Sequence, residues 1–165
     1  MYNLAFTRCI TNLIINQMSS YRQLLYHLVF RTKESLPTIK QDNVSHLYSY
    51  ITGIVKNKNS HLYRINGTEN HIHILTDLHP SLALADFMRE IKASSSFWMK
   101  NSNYFPDFNC WAEGYCALTC SYMNLTIVVE YIKNQYEHHR KKSFEEEYRS
   151  LLIESGLDID EKYFP

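Results

Sequence analysis

The sequence predicts an α+β domain, with a four-stranded antiparallel sheet, two helices over one face of it and further helices at the C-terminus. Three observations predict it. Two segments carry apolar residues at helical spacing: Val44, Leu47, Tyr48, Ile51, Ile54 and Val55, then Leu82, Leu84, Phe87, Met88 and Ile91. Runs rich in Leu, Ile, Phe and Tyr lie before, between and after them and read as strands. Asn66-Gly67 stands between two such runs, a strong hairpin signal. The resulting order, β-α-β-β-α-β, is the ferredoxin-like (RRM-like) arrangement, which leaves one sheet face free for a ligand or another helix.

Each element has its own local signals. The run from Ser20 to Lys33 lacks Gly and Pro and reads as a central strand. Pro37 opens a helix to about Lys56, ended by the cluster Lys56 to Ser60. Strands follow at His61–Ile65 and Asn70–Leu78. A second helix starts at Pro80 and fades in the run Ser94 to Ser96. A strand at about Trp111–Ser121 closes the unit. Two helices come after it. One runs from an Asn124 N-cap to about Lys141. The other runs from Ser143 to Glu154, with Gly156 as its stop.

Length and composition exclude several classes. A chain of 165 residues that is 45% hydrophobic and 21% charged, with four Gly and four Pro, is neither collagen-like nor wholly disordered. It holds a core without disulfides. Cys9, Cys110, Cys116 and Cys120 form no C-x-x-C pair, so zinc-knuckle and thioredoxin-like readings fail. No stretch reaches the ~20 apolar residues of a membrane span, and residues 1–17 lack a signal-peptide cleavage site, so a cytoplasmic protein is expected. Net charge is zero but unevenly spread. Residues 143–165 carry seven acidic and two basic side chains; residues 1–142 carry 15 basic and 10 acidic. A basic body with an acidic tail can bind a polyanion.

Two constellations could do chemistry. His71 and His73 flank Ile72 on a strand, so both imidazoles leave the same face. If Ile72 and Ile74 face the core, the histidines lie on the open face, about 7 Å apart at Cα and able to share one divalent ion. A third ligand must come from elsewhere, and H-x-H alone reads as well as a surface strand. On the following helix, Tyr131, Gln135, His138 and His139 fall on one stripe. A tyrosine can serve as covalent nucleophile and a Gln oxygen as hard ligand, although a tyrosine on an amphipathic helix usually packs.

Together these pieces resemble a family. The matching segments are Tyr21 to Lys33, Asn70-His-Ile-His-Ile-Leu75, Ile91-Lys-Ala-Ser-Ser-Ser96, Trp111-Ala-Glu-Gly-Tyr115, the run Tyr131 to Arg140, and Ser143-Phe-Glu-Glu-Glu-Tyr148 on to Tyr163. The chain resembles the single-tyrosine transposases of small insertion sequences, in the HUH endonuclease superfamily, including the REP-associated tyrosine transposases. The resemblance covers about residues 18–164. Residues 1–17 read as an extension outside it, and Met18-Ser-Ser resembles the usual start. Asn70 stands where the family usually has Asp, and Ala112 where it usually has Gln.

The resemblance implies an enzyme that cleaves and rejoins single-stranded DNA at insertion-element ends through a 5′-phosphotyrosine. Tyr131 is then the nucleophile, and His71, His73 and Gln135 hold a catalytic Mg²⁺ or Mn²⁺. It also implies hairpin-forming DNA ends and a homodimer in which one subunit's tyrosine helix reaches the histidine pair of the other. His138 and His139 match the motif without an assigned role. From charge alone, Arg31, Lys33, Lys92, Lys100, Arg140 and Lys141 are candidate phosphate contacts, with Lys142 beside them. Trp98, Trp111 and Tyr115 either stack on bases or pack in the core. Two other readings stand beside this one. One is a domesticated, non-catalytic binder of single-stranded DNA or RNA with the same fold. The other is a metal-dependent hydrolase that uses water in place of Tyr131.

Overall fold

The computed structural model describes residues 21–161 and Phe164. The expected extension at 1–17, Cys9, the start at Met18 and Tyr163 lie outside these residues. The elements are β1 (Leu25–Arg31), α1 (Val44–Asn57), β2 (Leu62–Gly67), β3 (His71–Asp77), α2 (Leu84–Asn101), β4 (Cys116–Cys120), α3 (Leu125–Lys133), α4 (Gln135–His139) and α5 (Phe144–Glu154). The sheet runs β2-β3-β1-β4 with every pair antiparallel. This is the expected ferredoxin-like order, with β1 central.

One face of the sheet makes the main core. Leu28 and Phe30 of β1 stand opposite Ile74 and Ile72 of β3. They pack with Leu47, Ile51 and Val55 of α1 and with Phe87, Met88, Ile91 and Met99 of α2, all buried. Burying such side chains stabilises by roughly 1.5–3 kcal/mol each. The other face carries a second cluster. Val29, Cys116 and Phe144 are buried there, with Leu118, Tyr148, Leu151 and Leu152 against them, so α5 covers what a plain two-layer fold would leave open.

Several boundaries differ from expectation, each for a visible reason. The first helix begins at Val44, not Pro37. Ile39 is fully buried and its N–H donates to the Glu69 carbonyl, which ties 37–40 down as an extended strap. The second helix starts at Leu84 and passes through the serine run to Asn101. Ser95 is satisfied inside it, donating to the Ile91 carbonyl at 2.6 Å and accepting from Trp111 Nε1 at 2.9 Å. The last strand is short. Trp111 makes only an isolated bridge to Thr32, and Gly114 at φ +72° turns the chain before Cys116.

The hairpin is displaced by two residues. Asn66 and Gly67 belong to β2, and the turn is Thr68 to Asn70, closed by Thr68 N–H donating to the His71 carbonyl at 3.1 Å. Gly67 is needed for closeness: a Cβ there would stand 2.1 Å from the His71 carbonyl oxygen. Asn66 is used across space. Its Nδ2 donates to the carbonyls of Ile132 and Lys133 at 3.0 and 2.9 Å. That side chain enters the helical ladder where the expected single helix to Lys141 breaks, at Asn134, into α3 and α4. The last helix follows expectation: Ser143 and Glu146 form a capping box, and Gly156 turns out at φ +70°.

Candidate active site

The alternate residues of β1 and β3 form the second face. Val29 stands opposite His73 and Arg31 opposite His71, so His27, Val29, Arg31, His71 and His73 leave the sheet away from α1 and α2. The helices after β4 close over this face, and His71 and His73 are fully buried.

Neighbours orient each imidazole. Asn70 Nδ2 donates to the Ser35 carbonyl, which turns its Oδ1 to His71 Nδ1 at 2.7 Å. An amide oxygen only accepts, so Nδ1 carries the proton and His71 Nε2 presents a lone pair. Asn70, where the resemblance leads one to expect Asp, thus still accepts from His71. His73 Nδ1 lies 2.9 Å from His27 Nε2, the two rings stacked. When His73 Nδ1 is the donor of this pair, its lone pair is on Nε2, a buried atom that makes no hydrogen bond. Burial lowers the pKa of all three rings, that of His27 to about 3. Neutral imidazoles are what a metal requires.

Facing the pair is Glu147 of α5, 1% exposed. Its Oε2 stands 3.7 Å from His71 Nε2 and 3.6 Å from His73 Nε2, and accepts from His139 Nε2 at 2.7 Å. Its Oε1 accepts from the Tyr131 hydroxyl and, at 2.8 Å, from Gln135 Nε2. With its amide nitrogen spent there, the fully buried Gln135 directs Oε1 to His71 Nε2 at 3.5 Å. Burial pushes the Glu147 carboxyl up. The His139 hydrogen bond, His73 and the Tyr131 hydroxyl outweigh this and hold it well below the ordinary carboxylate range. Burial first, then the Glu147 charge, raises the Tyr131 phenol, so it is protonated.

These residues fit a divalent cation. One nitrogen of His71, one of His73 and a Glu147 oxygen lie within 4.8 Å of one another, close to the span that ligand bonds of about 2.0–2.2 Å bridge. Among the described residues His73 Nε2 makes no hydrogen bond, and the basic side chains beside the Glu147 carboxylate are all histidines: His71, His73, His138 and His139, at 2.7–3.9 Å. An ionised carboxylate facing the neutral imidazoles of His71 and His73 is a ready site for a cation.

The four residues expected from sequence, Tyr131, His71, His73 and Gln135, therefore meet in one pocket. They meet within a single chain: the Tyr131 ring is 6.0 Å from the rings of both His27 and His73. The shared-site expectation would put that helix over a partner's histidines instead. Glu147 and His27 carry no role in the sequence reading. Glu147 hides in a run of three glutamates, of which it alone is buried; its spacing from Phe144 and Leu151 on one helical face was the available signal. His27 shares the period-2 face of Val29 and Arg31.

The basic candidates are dispersed. Lys33, Lys100 and Lys141 are exposed, and Arg140 pairs with Glu137 at 3.1 Å. Lys92 Nζ donates to the carbonyls of Ala112 and Gly114 at 2.8 and 2.5 Å, bracing the loop before β4. Arg31 ends β1 beside His71 and lines a cavity of about 230 Å³ with Tyr115, Phe144 and Tyr148. Trp111 is core, edge-on to Phe30 and Phe108; Trp98 stacks on Tyr50. Among the described residues no helix is long and apolar enough to cross a membrane, and Cys110, Cys116 and Cys120 are free thiols.

Comparison with known proteins bears directly on this site. Residues 20–135 match the family described as "Transposase IS200 like". The chain belongs to the IS200-like transposase family. Within that family it is 24% identical over 122 residues to the ISDra2 transposase TnpA of Deinococcus radiodurans, covering 70% of this chain and 86% of the relative. Two solved structures share the fold. One is a Deinococcus radiodurans R1 protein described as a transposase candidate, with TM-score 0.57, 24% identity, and 71% of this chain and 94% of that one covered. The other is a REP-associated tyrosine transposase bound to a REP hairpin, with TM-score 0.56, 15% identity and 74% of each chain covered. The segment matched to IS200-like transposases contains His71, His73, Tyr131 and Gln135, and stops short of His139 and Glu147.

Proposed function

We propose that this transposase cleaves and rejoins single-stranded DNA at insertion-element ends, with Tyr131 as nucleophile and a 5′-phosphotyrosine as intermediate. The observation that carries the reading is the meeting of the Tyr131 hydroxyl with Gln135, Glu147 and two oriented imidazoles in one pocket. His71 and His73, through Nε2, would hold a Mg²⁺ or Mn²⁺, with Gln135 Oε1 beside them. A bound divalent ion supplies charge stabilisation to the scissile phosphate and the leaving 3′-oxygen. Tyr131 attacks phosphorus, the bond to the 3′-oxygen breaks, and the proton given up by the phenol is balanced by the one that the departing oxygen takes up as a free 3′-OH. The ester conserves the bond, so attack by another 3′-OH rejoins strands without ATP. Imidazole ligands suit Mn²⁺ at least as well as Mg²⁺.

Arg31, Lys33, Lys92, Lys100, Arg140 and Lys141 are the proposed phosphate contacts, positioning the strand without naming bases. That a REP-associated structural relative was solved with a REP hairpin supports hairpin-bearing ends as the substrate. We further propose a cytoplasmic homodimer as the working assembly. The deciding experiment is incubation with hairpin-bearing single-stranded DNA and Mn²⁺, read on a denaturing gel. The expected result is a covalent protein–DNA adduct. A domesticated binder would shift the DNA without adduct or cleavage. A water-using hydrolase would leave free 5′-phosphate ends and no adduct.

A further inference from the structure

We infer that Glu147 is itself a ligand of the cation, delivered by α5 from outside the segment that matches the transposase family. The inference rests on the metal-assisted reading above and adds a residue to it. Three observations converge on it. The carboxylate Oε2 stands almost equidistant, at 3.7 and 3.6 Å, from Nε2 of His71 and Nε2 of His73. Its neighbours on the same helix face, Phe144, Leu151 and Tyr148, pack on Val29, Cys116 and Leu118, where an apolar residue at 147 would serve packing better than a buried charge. The adjoining glutamates face away from the site: Glu146 closes the capping box and Glu145 is exposed.

The same carboxylate holds the proposed nucleophile. Oε1 accepts from Tyr131 and Gln135 while Oε2 faces the histidines. Cation binding therefore fixes the group against which Tyr131 is positioned. An amide ligand from Gln135 and a carboxylate ligand from Glu147 approach His71 from the same side, so α4 and α5 together supply the oxygen donors that β3 lacks.

The test is calorimetric titration with Mn²⁺ alone, on the full chain. Wild type binds; Glu147→Gln, which keeps the shape and removes the charge, binds about tenfold or more weakly. Gln135→Ala loses less than Glu147→Gln. Because Glu147→Gln could unfold α5, hydrogen exchange on the wild-type chain gives a second measurement: Mn²⁺ should slow amide exchange across 144–154. Equal Mn²⁺ affinity in folded Glu147→Gln overturns the assignment. Tighter binding also overturns it, showing that Glu147 fills the cage rather than serving it. Absence of added protection in α5 on Mn²⁺ binding has the same force. If wild type binds no Mn²⁺, the metal-assisted reading falls as well, so the two failures are distinguishable.

Discussion

Tyr131 is held by two opposed effects. Burial and the Glu147 charge keep its phenol protonated, yet the hydrogen bond to Glu147 aims it within the pocket. Tyr131→Phe should therefore abolish adduct formation while leaving hairpin DNA affinity within a few-fold, measured by gel and by fluorescence anisotropy. Persistent cleavage by this variant would end the covalent mechanism. The histidines answer to a different measurement. His71→Ala or His73→Ala should lose Mn²⁺-dependent cleavage and most Mn²⁺ affinity, because each removes an imidazole whose Nε2 faces Glu147. Unchanged calorimetric affinity in His71→Ala would refute its assignment. His71, His73, Tyr131 and Gln135 were legible in the sequence because strand and helix periodicities put them on shared faces and a family resemblance named them. Glu147 was not, because its place on the face of Phe144 and Leu151 marks it as turned inward but does not say which residues of a distant sheet it meets. His27 was missed for a related reason: its role depends on which strand lies beside β3.

At the scale of elements, α5 matters because it carries Glu147 to the site, and its first turn depends on the capping box. Ser143→Ala removes the side-chain acceptor for the Glu146 N–H and should cost about 1 kcal/mol, read from urea unfolding. Gly67→Ala should be worse, since a Cβ 2.1 Å from the His71 carbonyl forces β2 and β3 apart at the ligand itself. Lower stability together with weaker Mn²⁺ binding is expected; unaltered Mn²⁺ affinity would show that the strand absorbs the clash. Sequence periodicity recovered the order and type of the main elements, because the faces of α1, α2 and β3 repeat cleanly. It erred where side chains reach across the fold. Asn66 reads as a turn residue but binds α3, the serine run reads as a helix end but is satisfied by Trp111, and Pro37 reads as a helix start but precedes a strap held by Glu69.

For the whole molecule, the proposed dimer can be built with each site in one chain or shared between two. Here Tyr131 lies over its own chain's histidines. The proposed dimer can be examined by mixing two inactive proteins, Tyr131→Phe and His71→Ala, under conditions that exchange subunits. A shared site restores adduct formation, since each heterodimer then holds one pocket with intact histidines and an intact tyrosine. No recovery, with exchange verified independently, assigns the site to single chains.

The Asn66 side chain bears on that choice in another way. It is a catch. For α3 to leave its own sheet and lie on a partner's, as in a domain swap, the two carbonyls it holds at Ile132 and Lys133 must be released. Each such bond is worth roughly 0.5–1.5 kcal/mol net. The segment between β4 and α3, with Tyr122 and Met123 exposed, would then be the hinge. In a swapped dimer the same asparagine would grip the incoming helix, so it would secure whichever arrangement forms and slow the passage between them. Subunit exchange of Asn66→Ala should accordingly be faster than that of the wild type if the helix is swapped, and unchanged if each chain keeps its own.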